Sequence, residues 1–258
     1  MNAAGLDLAI LAPALVTGLL VLSTHVPLGQ QVLARSIVFI DLAIAQLAGL
    51  GVIVADYLGA PAHDWAVQIA AAGAAAAGAG LLTWSERRWP QVQEALIGAL
   101  FVLAASCALL LLSNNPHGGE HLKELLAGQI LWVSWTELYR VALFYALLLA
   151  LWFGLGKQHL GRWGFYLLFA MSVTASVQLV GVYLVFASLI LPALATKACK
   201  ETWSLPLGYG AGVAGYVLGL VASALFDLPA GPSVVCALAI AAAVGAWVSS
   251  GQKRHITP

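Results

Sequence analysis

Most of the charged residues in this chain lie in short polar gaps between long apolar runs. Only 9% of its 258 residues are charged, whereas a soluble domain usually carries about 25%. A chain with so few charges and 62% hydrophobic residues cannot cover a surface that faces water. We therefore expect the lipid bilayer to be its solvent, and the sequence predicts an all-α, polytopic bundle of transmembrane helices.

The apolar runs predict eight or nine membrane spans. A helix needs about 20 apolar residues to cross the hydrocarbon core. The segments that approach this length are Leu8–Val26, Ser36–Tyr57, Trp65–Trp84, Val92–Leu112, Trp135–Phe153, Trp163–Gln178, Gly181–Ala195, Leu207–Phe226 and Ser233–Val248. The sixth and seventh are short and nearly continuous, so they form either two spans or one bent element. We expect all spans to belong to a single transmembrane domain over residues 1–258.

The charge of the gaps predicts the orientation in the membrane. With nine spans, most basic residues fall on one side: Arg35, Arg87, Arg88, Lys157, Arg162, Lys197, Lys200, Lys253 and Arg254. Cytoplasmic gaps of membrane proteins carry an excess of Lys and Arg. The N-terminus is therefore expected outside and the C-terminus inside. The net charge is zero, so nothing in the charge balance points to a nucleic-acid partner.

The third predicted span contains the run AAAGAAAAGAG. Small side chains let helices approach each other closely. We therefore expect this span to lie inside the bundle.

Several polar residues fall inside predicted spans. Asp41 and Gln46 lie in the second, where an ionisable group is costly and by default marks a pathway or a paired site. They point about 140° apart around a helix. Two interpretations stay open: Asp41 and Gln46 line a pathway, or Asp41 pairs with Arg35 near the inner surface. Hydrogen bonding between helices or pore lining is expected of Ser172, Thr174, Ser176, Gln178 and Ser188. His25, at the predicted end of the first span, is interpreted as an interfacial residue rather than a metal ligand.

Two stretches late in the chain have a recognisable pattern. They are VGVYLVFASLILPALA over residues 180–195 and FDLPAGPS over residues 226–233. Together they resemble the membrane subunits of bacterial zinc and manganese ABC importers, whose VG…P-A-x-A helix is followed by a D-x-P-x-G-P turn. Weaker matches to the same family occur at Pro27–Gly29, Glu94–Gly98 and Leu122–Leu131. The resemblance therefore covers most of the chain.

The resemblance implies a permease subunit that carries a divalent metal ion across the bacterial inner membrane. It implies no covalent chemistry, no catalytic residue and no bound cofactor. Its expected partners are a second copy of the chain, ABC ATPase subunits and an extracytoplasmic metal-binding protein. The chain has no GxxxxGK[ST] loop of its own, so another subunit would have to bind ATP.

The sequence departs from this family at two places. The family's second helix usually reads G-D-x-x-x-H, and the match from Pro27–Gly29 to Gly51 places Leu42 and Gln46 at those positions, with Asp41 one residue early. A glutamine amide is a harder and weaker ligand than imidazole, which weighs against zinc, while a first-row divalent metal remains the expected class.

The polar gap between the fifth and sixth spans, Gly154–Arg162, is the second departure, because it is shorter than the family's usual coupling segment. Coupling to the ATPase could instead rest on Lys197–Ser204, on Trp84–Gln91, or on a differently arranged fifth gap. A secondary or passive transporter of similar helical build is the alternative function.

The predicted outer loop contains the string His117-Gly-Gly-Glu120-His121. It matches the H-x-x-E-H pattern of some zinc peptidases, whose histidines lie one turn apart on a helix. Gly118 and Gly119 argue against such a helix, so we do not expect a protease. His117, Glu120 and His121 are instead candidate contacts for an incoming metal ion or its delivery protein, with a solvated polar loop as the simpler alternative.

Overall fold

A computed structural model describes residues 8–60, 65–112, 130–154, 161–197, 199 and 201–254 of this protein. All regular structure within these ranges is helical, which confirms the predicted all-α class. The α-helices are α1 (Leu8–Ala34), α2 (Ile40–Tyr57), α3 (Trp65–Arg88), α4 (Gln93–Leu112), α5 (Trp135–Gly154), α6 (Gly161–Val180), α7 (Val182–Ala195), α8 (Glu201–Phe226) and α9 (Ala230–Arg254). Short 3-10 helices span Pro90–Val92 and Ile130–Trp132.

Eight helices within the described ranges are long and apolar enough to cross a membrane. The remaining helix, α7, has 14 residues and would span about 21 Å, less than the roughly 30 Å of a hydrocarbon core. The prediction of eight or nine spans is therefore confirmed as eight long helices and one short apolar helix.

Helices α6 and α7 are separated by the single residue Gly181. Its backbone angles, φ 78° and ψ 164°, lie in a region that residues with a side chain essentially never adopt. Gly181 therefore interrupts the helical backbone between α6 and α7. The sixth and seventh predicted segments are thus two helices rather than one bent helix.

The chain divides into two compact units, each assembled from separate stretches of sequence. Unit 1 comprises Met1–Arg35, Ala127–Tyr145 and Leu179–Pro258, and unit 2 comprises Ser36–Leu126 and Ala146–Gln178. Unit 1 therefore contains α1, α7, α8 and α9, while unit 2 contains α2, α3 and α4. The single domain expected over residues 1–258 stays a prediction.

In unit 1, the short helix α7 packs against α1, α8 and α9. Most of its residues are buried, including Leu184 and Leu189. Gly29 brings α1 unusually close, because a Cβ atom at this position would overlap the backbone carbonyl of Leu189. At Gly219, a Cβ atom would overlap the Cα atom of Val234, so α8 and α9 also approach closely. Close packing through small residues is how membrane helices associate without a hydrophobic driving force.

In unit 2, α2 packs against both α3 and α4. A Cβ atom at Gly51 would lie 2.5 Å from the carbonyl oxygen of Ala70, so small residues again set the spacing of α2 and α3. The opposite face of α3 is open, with Trp65 75% and Ile69 68% exposed within the chain. The expectation that the third span lies inside the bundle is therefore right for one face and wrong for the other.

Candidate functional site

Helix α2 begins at Ile40, four residues later than the sequence predicted. Ser36 has a left-handed φ of 56°, and residues 35–39 form turns instead of a helical first turn. The backbone amide of Phe39, just before the helix, donates to the Glu94 side chain of α4 at 3.3 Å. As a result, Asp41 lies in the first turn of α2 rather than well inside a span.

Asp41 is buried and has no hydrogen-bonding partner for its carboxylate. Asp41 is 1% exposed, and neither of its carboxylate oxygens has a hydrogen-bonding partner among the described residues. Its place in the first turn would let the helix dipole stabilise a negative charge on Asp41, but that would compensate only part of the cost of burying the charge. Its pairing with Arg35 would join residues assigned to different units and stays a prediction. Asp41 is therefore a buried acceptor whose partner the described residues do not supply.

Gln46 lies on the same helix but not on the same face. It is partly buried, and the five-residue separation turns it about 140° away from Asp41. Within the described ranges, no group of three His, Cys, Asp or Glu side chains is placed to hold a metal ion. The role of Asp41 and Gln46 in lining a pathway stays a prediction. The candidate contacts His117, Glu120 and His121 lie outside the described residues.

His25 differs from its sequence-based interpretation. Because α1 continues through Pro27 to Ala34, His25 lies inside the helix and is fully buried, so the interfacial interpretation is wrong. Thr17 and Thr24, seven residues apart on the same helix face, are buried as well. This polar face of α1 was the sequence signal that could have placed His25 in the interior.

A second buried polar contact joins α7 to α8. The Ser188 hydroxyl donates to the carbonyl of Leu184 at 2.6 Å, and its oxygen lies 2.8 Å from the Tyr216 hydroxyl. Because the Ser188 proton is used within α7, the Tyr216 hydroxyl donates to Ser188. This is the hydrogen bond between helices that the sequence suggested for Ser188. Ser176 instead donates within its own helix, to the carbonyl of Ser172 at 2.7 Å.

The corner between α3 and α4, one of the predicted coupling surfaces, is held by buried hydrogen bonds. Gln93 donates to the carbonyl of Leu82 at 3.0 Å and accepts from the Ser85 hydroxyl at 2.9 Å. On the outside of the corner, the Trp84 and Trp89 rings meet edge to face with centroids 5.2 Å apart. The corner thus presents exposed aromatic side chains on a fixed backbone. Most of the fifth gap, residues 155–160, lies outside the described residues.

These spans and buried polar residues are typical of a helical transporter. Comparison with known families identifies the transporter family. The family model described as "ABC 3 transport family" matches residues 7–161 and 153–249. The chain belongs to this family. It is therefore a multi-pass membrane permease rather than an enzyme, as the late motifs of the sequence indicated.

Relatives of this ABC 3 chain are membrane proteins of metal transport systems. Two that are called "probable metal transport system membrane protein" come from Chlamydia muridarum and Chlamydia trachomatis. The first is 25% identical over 176 residues, which cover 60% of this chain and 59% of that protein. The second is 25% identical over 169 residues, which cover 57% of each. The chain thus spans less than two thirds of the curated relatives that it matches.

The fold of this ABC 3 permease also matches a solved structure. PsaBC from Streptococcus pneumoniae, solved in complex with Fab, aligns with a TM-score of 0.76 at 21% identity. The alignment covers 95% of both chains. The predicted ABC permease architecture is therefore confirmed over nearly the whole chain.

Proposed function

We propose that this chain is the membrane-spanning subunit of an ATP-driven importer for a divalent metal ion of the zinc or manganese class. The observation that carries the proposal is the ABC 3 family match across residues 7–249, together with curated relatives from metal transport systems. The ABC permease fold supports the same conclusion. The chain itself would catalyse no covalent step, and ATP hydrolysis would belong to a separate subunit.

The polar residues of α2 support a cation as the substrate. Asp41 is buried without a hydrogen-bonding partner among the described residues, and a buried carboxylate is compensated best by a cation. Gln46 adds a neutral amide oxygen on the same helix. In this proposal Asp41 and Gln46 line successive parts of the ion's path, since they do not share a helix face. Outside the membrane, His117, Glu120 and His121 would meet the ion or its binding protein.

In the proposed assembly, the ion's path opens alternately to the two sides of the membrane. A homodimer would form the path, with two ATPase subunits on the cytoplasmic side and a metal-binding protein outside. The excess of Lys and Arg in the gaps on one side supports a cytoplasmic C-terminus. The chain would lie in the bacterial inner membrane. The α3–α4 corner supports one coupling surface, because its buried Ser85–Gln93 contact would transmit a push on the corner to both helices.

Co-purification and ATP hydrolysis test this function. Neighbouring genes are searched for an ABC ATPase and a metal-binding protein, the chain is expressed together with those found, and the purified complex is assayed with and without zinc and manganese. We expect the ATPase to co-purify and its hydrolysis rate to rise several-fold with one of these ions and the binding protein. A chain that purifies without any ATPase, yet still moves metal ions in liposomes, would support the passive or secondary transporter instead.

A further inference from the structure

His25 has one ring nitrogen fixed by hydrogen bonding and the other left without a partner. Its Nδ1 lies 3.0 Å from the carbonyl oxygen of Val21 and 3.0 Å from the Thr24 hydroxyl. The Thr24 hydroxyl itself donates to the Val21 carbonyl at 3.2 Å. Nε2 is buried and has no partner among the described residues. The imidazole is thus fixed through Nδ1, while Nε2 has no hydrogen-bonding partner among the described residues.

These contacts determine which nitrogen holds the proton. A carbonyl oxygen only accepts, so the Nδ1 contact with Val21 requires an N–H at Nδ1. The Thr24 proton is already directed at the same carbonyl, so it does not fill the Nδ1 position. Protonating Nε2 as well would create a buried cation with no partner, which is costly. His25 is therefore the neutral tautomer with its lone pair on Nε2.

This is the arrangement found in histidines that ligate metals. Such residues almost always donate the ring N–H that does not face the metal to a carbonyl, a carboxylate or water, which fixes the ring and its tautomer. The orphaned Nε2 is a second, independent sign, because a buried polar atom without a partner is rare in a native structure. No other described contact explains why an imidazole, rather than an apolar side chain, occupies this fully buried position in α1.

We propose that His25 is a ligand for the transported ion, presenting Nε2 to it during passage. The inference rests on the proposed metal-import function and adds a specificity-determining residue on α1. Imidazole binds first-row transition metals better than it binds magnesium or calcium, so His25 would favour zinc- or manganese-class ions over these hard cations. Because Nε2 is buried in this conformation, the ion meets it only when the surrounding helices open, as alternating access requires.

Two substitutions separate a ligand role from a structural one. In His25→Asn, the side-chain amide can still donate to the Val21 carbonyl from the position of Nδ1, but nothing replaces Nε2. In His25→Gln, the longer amide places an oxygen near the position of Nε2. Thr17→Val is the matched control, because Thr17 is also buried on this face of α1 and its hydroxyl donates only to the carbonyl of Pro13, at 2.8 Å.

The readout is uptake of zinc, manganese and magnesium by the complete complex in proteoliposomes, measured as apparent affinity for each ion. We expect His25→Asn to weaken apparent affinity for the preferred ion on the order of 10-fold or more, as the loss of a metal-site residue does. His25→Gln is expected to transport more weakly and to lose preference for that ion over magnesium. Thr17→Val is expected to retain both properties.

The outcomes distinguish this inference from the proposed function. If the wild-type complex transports no divalent metal, the proposed function fails and the ligand role fails with it. If the wild-type complex transports metal and His25→Asn matches its affinity and preference, only the ligand role is overturned. If His25→Asn does not assemble with the ATPase, His25→Gln is the deciding variant. Unchanged apparent affinity for the preferred ion and unchanged preference over magnesium would overturn the ligand role. Weaker affinity together with a lower preference over magnesium would support it.

Discussion

The Tyr209 hydroxyl of α8 donates a hydrogen bond of 3.0 Å to the backbone carbonyl of Ser23 in α1. Pro27 has no N–H, so it leaves this carbonyl without its usual helical donor four residues later. Tyr209 thus satisfies the acceptor that the proline exposes. This contact helps α1 to continue through Pro27 instead of ending there, which keeps His25 inside the helix.

Replacing Tyr209 with Phe should destabilise the packing of α1 on α8. The variant leaves the Ser23 carbonyl without a donor, and we expect a loss of about 0.5–1.5 kcal/mol in the free energy of unfolding. Thermal unfolding of the purified protein in detergent measures this as a lower midpoint. Tyr139→Phe is the control, because Tyr139 is 73% exposed in the chain and should not change the midpoint. Equal midpoints for both variants would show that the Tyr209 contact does not stabilise α1.

Gly29→Ala should have a much larger effect. The added methyl group would overlap the carbonyl of Leu189, which is backbone and cannot rotate away, so α1 and α7 would have to separate. We expect a loss of about 2 kcal/mol or more and poor recovery of folded protein. Gly210→Ala is the matched control, because a Cβ atom there meets nothing within 4 Å and alanine favours a helix. Size-exclusion profiles and unfolding midpoints of the two variants check the prediction, and similar behaviour would contradict it.

The sequence predicted where the helices lie better than where they end. Of the nine predicted segments, eight correspond to long helices and one to the short helix α7, because a helix satisfies its backbone hydrogen bonds within its own segment. The first predicted segment ends at Val26, yet the helix runs through Pro27 to Ala34, with Tyr209 supplying the missing donor. Such a contact joins residues that are far apart in sequence, so no local pattern reveals it.

The candidate site was predicted only in part for the same reason. Asp41 and Gln46 stood out as polar residues in an apolar segment, and Asp41 is indeed buried. The late start of α2 depends on the turn at Ser36 and on Glu94 from another helix, and neither is visible in local hydrophobicity. The sequence predicts an interfacial His25 because the predicted first span ends beside it. Its burial follows from the true end of α1.

Asp41→Asn should lower transport without lowering stability. The substitution keeps the shape of the side chain and replaces a buried carboxyl group whose oxygens have no hydrogen-bonding partner among the described residues, so the free energy of unfolding should stay the same or rise. Metal uptake should fall on the order of 10-fold if the carboxylate contacts the ion. Asp56→Asn is the control, because Asp56 is exposed near the other end of α2. The pathway role of α2 is wrong if Asp41→Ala and Gln46→Leu both leave uptake and ion preference unchanged.

The outer-loop residues make a separate prediction. Replacing His117, Glu120 and His121 together with Ala should weaken the apparent affinity for metal delivered by the binding protein, with little effect on the stability of the helices. Uptake as a function of the concentration of metal-loaded binding protein measures this. A triple variant that transports like the wild type would leave the solvated loop as the better description of this segment.

Uptake of metal by proteoliposomes containing the complete complex tests whether this chain takes part in ATP-driven import of a divalent metal. The complex of this chain, its ATPase and the metal-loaded binding protein is supplied with ATP, with ADP, or with ATP and an ATPase subunit that binds but cannot hydrolyse it. We predict that zinc or manganese accumulates only with ATP and an active ATPase. Accumulation at the same rate in all three conditions, or no accumulation of any divalent metal in any of them, would contradict the account.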